Sequence, residues 1–271
     1  MSEEYELDHS PVETQERNGW YSFGVAAEGY SALATAVFFP LILNSLAEYN
    51  AYQNSDHTKP CNVSNTDPCD VQIGSHYYDT SSLVFYATSI SVLCQFFLFV
   101  SLGSLADHGS HRKTFLIMFG VATSVIGLCI LLVTKNSLWW LAFIIYMLSN
   151  TTYGAAYVFY YAWVPILTRF DQKVIDSEQD EKLTNEEKYT ISDMVSNEIS
   201  GKGFFYSYVT AVCELIVAAG IAMYLGSGEN YGLTAAYPLQ IGVALASIWQ
   251  LVILLAYTNR HLKARPGTLA F

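Results

Sequence analysis

Two glutamates stand inside otherwise apolar stretches: Glu28 in "GVAAEGYSALATAVFF" and Glu214 in "YSYVTAVCELIVAAGIAMY". A carboxylate at membrane depth is costly and usually functional. Each reads either as a proton-coupling or amine-binding group facing a cavity, or as a protonated carboxyl bonded to a neighbouring helix or a helix-end residue reaching the interface. Tyr153, Tyr157 and Tyr161 recur every fourth position, so on a helix their hydroxyls share one face. That face either lines a cavity or packs against lipid or the helix that carries Glu214. Gln95 and Asn150 read as helix–helix hydrogen-bonding groups, and Gly24, Gly29 and Gly154 as points of close helix approach.

The elements that must hold these groups follow from composition. The chain has 271 residues and is 52% hydrophobic but only 14% charged. The charge falls in blocks, separated by apolar runs of about 20 residues or more, the length of a membrane-crossing helix. Six such spans are expected, at about Trp20–Ala47, Thr80–Ala106, Thr114–Thr134, Leu138–Thr168, Phe204–Gly226 and Tyr237–Tyr257. Pro165 predicts a tilt or kink near the end of the fourth. The organisation is an acidic tail (1–19), a membrane bundle (20–258) and a short polar tail (259–271).

Lys and Arg set the orientation. With the N-terminus in the cytosol, eleven of the thirteen basic residues lie on the cytosolic side, and only Lys59 and Lys135 lie opposite. Both termini are then cytosolic, loop 48–79 lumenal and loop 169–203 cytosolic. The tail "MSEEYELDHSPVETQER" is acidic where a signal peptide is basic and then apolar. The net charge of −11 argues against a nucleic-acid partner.

The lumenal loop contains "CNVSNTDPC". In an oxidising compartment Cys61 and Cys69 are expected to pair, the alternative being two free thiols, and Asn62 is a glycosylation acceptor. Cys94, Cys129 and Cys213 read as packing residues. Loop 169–203 reads either as a solvated mixed-charge linker or as a docking surface, with a capping box at Thr184 and Glu187 opening a short helix. There is no phosphate-binding glycine loop, no nucleophile elbow and no metal-type Cys/His spacing, so neither an enzyme, a cofactor nor a metal is expected.

The second span ends in "GSLADHGSHRK" (103–113). Gly103, Asp107 and Arg112 fall on the loop motif Gly-x-x-x-Asp-(Arg/Lys)-x-Gly-Arg-(Arg/Lys) of the major facilitator superfamily, which this stretch resembles in sequence and in its place between spans two and three; Lys113 extends the basic end. Taken with "NGWYSFGVAAEGYSALATAVFFPLIL", "DTSSLVFYATSISVLCQ" and "ISGKGFFYSYVTAVCEL", the chain resembles the autophagy-related protein 22 family of fungal vacuolar amino-acid effluxers. The resemblance runs from about Gly19 to Gly267, covers the first half of a family with about twelve spans, and implies that residues 259–271 are the start of its cytosolic central linker.

That resemblance implies an all-α membrane protein: six transmembrane helices forming the N-terminal half-bundle of a major-facilitator-type transporter, built of two inverted three-helix repeats. It implies a multi-pass vacuole-membrane carrier that returns amino acids released by autophagic degradation to the cytosol by alternating access. Its partners would be the lipid bilayer and a second six-helix bundle, either a C-terminal half or another chain. Gly103, Asp107, Arg112 and Lys113 would form a cytosolic gate. The alternatives are a carrier of sugar, nucleoside or peptide, or a non-transporting six-span scaffold acting through loop 169–203.

Overall fold

A computed structural model describes residues 10–61, 68–107, 111–225 and 232–265. The expectations for Asn62, for the tail before Ser10 and for His108 to Ser110 lie outside the described residues, as does the side chain of Asp107. The described chain is helical apart from one small sheet. Among the described residues five helices are long and apolar enough to cross a membrane: α1 (Thr14–Tyr49), α2 (Ser82–Asp107), α3 (His111–Leu132), α7 (Asn185–Leu225) and α8 (Gly232–His261). Between them lie α4 (Trp139–Tyr161), α5 (Val164–Arg169) and α6 (Gln172–Gln179). Helix α4 has 23 residues and no charge, but its Ser-Asn-Thr-Thr run and its tyrosines lower its mean hydropathy.

The expected fourth span, Leu138 to Thr168, is not one helix. Helix α4 ends at Tyr161, and Pro165, which has no N–H to continue a ladder, sits in the first turn of the separate α5. Loop 169–203 is not a loose linker. Asp171 caps α6, its carboxylate accepting from the Lys173 N–H at 2.9 Å. The Thr184–Glu187 capping box is present, with the Thr184 N–H donating to Glu187 Oε2 at 2.8 Å and the Glu187 N–H to Thr184 Oγ1 at 3.3 Å. The helix it opens runs on for 41 residues as α7. No proline interrupts that stretch, so nothing stops the helix between its polar and apolar parts.

Loop 48–79 carries a four-stranded antiparallel sheet of order β2-β1-β3-β4: β1 (Tyr52–Gln53), β2 (Asp56–Pro60), β3 (Cys69–Ile73) and β4 (His76–Asp79). Gly74 takes φ +64° in the two-residue turn from β3 to β4, a conformation that suits glycine. Cys61 and Cys69 are joined by a disulfide with 5.7 Å between their Cα atoms. On β3, Asp70 accepts from Asn54 Nδ2 at 2.7 Å and lies 3.0 Å from His57 Nε2, whose ring stacks on Tyr77.

Helix α1 packs on both α7 and α8, while α4 packs on α2 and α3. One buried cluster lies towards the sheet, around Phe38, Ile42, Leu43 and Ile145. The other lies towards the termini, around Trp20, Phe23, Phe159 and Trp163. Between them, Tyr30 Oη pairs with Ser149 Oγ at 2.6 Å across α1 and α4. Gln95 Nε2 donates to the Asn150 carbonyl at 2.7 Å, against Gly154. Buried polar groups in a helical bundle need such partners, because neither lipid nor core supplies them.

Candidate functional site

Helix α1 carries Glu28 one turn after Gly24, just before a π-helical segment, Ser31–Phe38. Such wider turns shift the helical register and recur at functional sites. Glu28 is half-buried, and Tyr157 on α4 donates its hydroxyl to Glu28 Oε1 at 2.9 Å. A hydroxyl bond to a carboxylate is charge-assisted and stronger than a neutral one. Glu28 has no ion pair among the described residues.

Aromatic rings surround this pair. Tyr153 and Tyr161 flank Tyr157 at centroid distances of 4.6 and 5.4 Å. Tyr160 stacks on Trp20 at 4.5 Å, and the Trp20 indole donates to the Tyr160 carbonyl at 3.0 Å. Phe204 on α7 continues the wall beside Tyr161. At Gly24 a side chain would collide with the Tyr160 hydroxyl and with Ser207, so glycine there lets α1, α4 and α7 converge. A carboxylate with one tyrosine donor and apolar walls can accept a proton or an ammonium group. Tyr153 and Tyr157 therefore face Glu28 on α1, and Tyr161, more exposed, leans on α7.

Glu214 is placed elsewhere. It lies on α7 in an apolar cleft of about 450 Å³ with Leu33, Val217, Leu245 and Trp249, its carboxyl against Gly29. Both oxygens are shielded, and neither meets hydrogen-bond geometry. No hydrogen bond joins Glu214 to Glu28 or to the tyrosines among the described residues.

Gly103 lies in the last turns of α2 and Asp107 ends that helix. Arg112, in the first turn of α3, is buried with its guanidinium 5.9 Å above the Trp163 ring, at the break between α4 and α5. Lys113 borders a cleft with His111, Thr114 and Asn259. Trp20, Phe23, Tyr160, Trp163 and Phe204 were not singled out in the sequence, because isolated aromatics in apolar runs carry no pattern. Tyr160 adjoins the Tyr157–Tyr161 pair, and that adjacency was the available signal. Among the described residues no group of three His, Cys, Asp or Glu could hold a metal ion.

Apolar helices of spanning length, packed around a carboxylate and a tyrosine ladder, define a multi-pass helical membrane protein. A family profile described as "vacuole effluxer Atg22 like" matches residues 13–269, and the chain belongs to that family. It is 36% identical to autophagy-related protein 22 of Chaetomium globosum over 63% of this chain and 27% of that protein. It is 28% identical to the protein of that name from Pyricularia oryzae, over 80% of this chain and 38% of that protein. With autophagy-related protein 22-1 of Phaeosphaeria nodorum it shares 28% identity over 96% of this chain and 50% of that protein. The matched region thus spans between about a quarter and a half of these relatives. No solved structure matches.

Proposed function

We propose that this chain is the N-terminal half-bundle of a vacuole-membrane carrier that moves amino acids from the lumen to the cytosol by alternating access. The observation that carries the reading is the Glu28–Tyr157 hydrogen bond inside an aromatic wall built by α1, α4 and α7. Glu28 receives the substrate ammonium group or a coupled proton, and the tyrosine rings shelter the apolar part of the substrate. Glu214, on the far side of Gly29, is the second candidate carboxylate.

The packing supports a bundle of two inverted three-helix repeats with six spans, α4 being the fourth in chain order. Helix α2 packs on α4 as α7 packs on α1, and α3 packs on α4 as α8 packs on α1. Helices α2 and α7 expose large apolar side chains, among them Phe96, Phe97, Phe205 and Val212. These faces meet lipid and a second six-helix bundle, supplied by the same polypeptide or by another chain. Both termini lie in the cytosol, as the Lys and Arg distribution requires, and Asn62 lies in the lumen, where it accepts glycan.

The test is solute counterflow in vesicles containing a full-length carrier. Amino acids are expected to drive exchange, whereas sugars, nucleosides and peptides do not. Glu28→Gln and Tyr157→Phe are expected to slow exchange about 10- to 100-fold, the range for losing a hydrogen bond to a charged group. Undiminished exchange in both variants would remove Glu28 from the pathway. This half-bundle alone, which supplies one wall, is expected to give none.

A further inference from the structure

We propose that the cleft between α3 and the end of α8 seats the headgroup of an anionic glycerophospholipid that carries no ammonium group, of the phosphatidylinositol type. The cleft has a volume of about 500 Å³ and is lined by His111, Lys113, Thr114, Ile117, Met118 and Asn259, with the segment after α8 closing one side. That volume lies within the range of small-molecule sites, about 300–1,000 Å³. The proposal goes beyond the transport reading and needs only that α3 crosses the membrane.

The lining changes character along α3. His111, Lys113 and Thr114 stand in the first turn, where the apolar span begins, and Ile117 and Met118 lie one turn further in. One turn of helix is about 5.4 Å, so the polar groups sit at headgroup depth and the two apolar side chains at the level of the ester groups and first methylenes. Met118 is exposed on the flank of the span, so the cleft is open towards lipid. A molecule that fills it is polar at one end and apolar at the other.

The charge of the cleft selects the headgroup. Lys113 is half-buried, and among the described residues its ammonium has neither an ion pair nor a hydrogen bond; the Thr114 hydroxyl and the Asn259 amide are likewise without partners there. The neighbouring cations are engaged elsewhere, Lys263 with Glu13 at 3.0 Å and Arg265 with Glu16. No carboxylate lines the cleft among the described residues. A lipid phosphate is thus met by Lys113, with His111 and Asn259 as further donors, while Thr114 and Asn259 both donate to and accept from sugar hydroxyls. Basic pockets between membrane helices on the cytosolic side hold anionic headgroups in this way, and the Lys and Arg distribution places this end of α3 in the cytosol. Choline and serine headgroups each bring an ammonium for which the lining has no anion.

The purified chain in detergent at low salt, titrated with short-chain phosphatidylinositol, phosphatidylserine and phosphatidylcholine, tests this. Glycerophosphoinositol, the same headgroup without acyl chains, and inorganic phosphate are titrated beside them. Phosphatidylinositol is expected to bind saturably and more tightly than the other four. Lys113→Gln should weaken it about 5-fold, the scale for one basic residue at a membrane surface, and Lys113→Arg should restore it. Asn259 is exposed, so Asn259→Leu should fold as the wild type does and weaken binding about 2- to 10-fold, the range for one hydrogen bond. Arg260→Gln, at the same end of the bundle but outside the lining, should leave the affinity unchanged. The lipid site is overturned by absent saturation, or by phosphatidylserine or phosphatidylcholine binding as tightly. Equal affinity for glycerophosphoinositol or phosphate would make the ligand a soluble anion and overturn it too. So would full affinity in both Lys113→Gln and Asn259→Leu, or an equal loss in Arg260→Gln, the mark of a diffuse basic surface. Failure of amino-acid counterflow in the carrier would leave this binding result standing.

Discussion

Glu16 and Arg265, 249 positions apart, form a buried bidentate ion pair: Arg265 Nε meets Glu16 Oε1 at 2.6 Å and Nη2 meets Oε2 at 2.5 Å. Neither side chain has accessible surface. Arg265 Nη1 also donates to the Ser10 carbonyl at 2.6 Å, and the guanidinium lies 4.9 Å from the Phe170 ring. The first turn of α1, the junction of α5 and α6, and the segment after α8 are thereby held as one unit.

Removing one partner of a buried ion pair strands the other charge, at a cost of about 3–5 kcal/mol, whereas replacing both with apolar residues is often neutral. Arg265→Met is therefore expected to lower thermal stability in detergent sharply, and Glu16→Leu with Arg265→Met to recover most of the loss. An Arg265→Met protein that melts with the wild type would refute the clasp.

Mass mapping of non-reduced peptides from the sheet region should recover Cys61 linked to Cys69. Replacing both with serine is expected to cost the sheet about 2–3 kcal/mol, the scale for a short closed loop. The readout is faster proteolysis between Tyr52 and Asp79, with membrane insertion unchanged. Alkylation of both thiols before reduction would contradict the bridge.

Hydrogen bonds from the Thr58 hydroxyl and N–H hold the Asp56 carboxyl at a pKa of about 2, with Lys59 adding to the effect. A depressed folded-state pKa contributes stability above the unfolded value, near 3.8, and that contribution is lost as pH falls through about 2. The β1–β2 hairpin should hold Asp56 ionised at pH 4 to 7. Thr58→Ala should raise the midpoint of the Asp56 carboxyl carbon shift towards 3.8; an unmoved midpoint would show that Thr58 does not set it.

Asp107 closes α2, and an acid at a helix C-terminus is in general unfavourable. We propose that Asp107 is a gate latch, which would pair while the carrier faces the lumen and be released when the cytosolic side opens; were it only part of a topology signal, Arg112 and Lys113 alone would matter. In a full-length carrier, Asp107→Asn is expected to shift the resting population towards the cytosol-open state by roughly 5- to 150-fold, for a coupling of ~1–3 kcal/mol. Normal efflux with unchanged cysteine accessibility on both faces would leave the topology signal alone.

The sequence by itself determined what depends on near neighbours. Apolar runs long enough to cross a bilayer marked α1, α2, α3, α7 and α8, because lipid imposes a local requirement on every residue of a span. The Thr184–Glu187 cap was legible for the same reason, since its bonds join positions three apart. The family was legible because its motifs are contiguous strings.

What only the tertiary structure decided is which distant groups meet. Glu28 and Glu214 look alike in sequence, each a lone acid in an apolar run. Folding gives Glu28 the Tyr157 hydroxyl and sets Glu214 against Gly29 in an apolar cleft. The Glu16–Arg265 pair left no local trace, since each residue reads as an ordinary charge beside a span. Nor did hydropathy distinguish a loose 48–79 loop from a sheet, because pairings such as Val71 opposite Tyr78 are made by the backbone. A partner's identity lies in the fold, because the free energy of a buried polar group depends on what the rest of the chain brings to it.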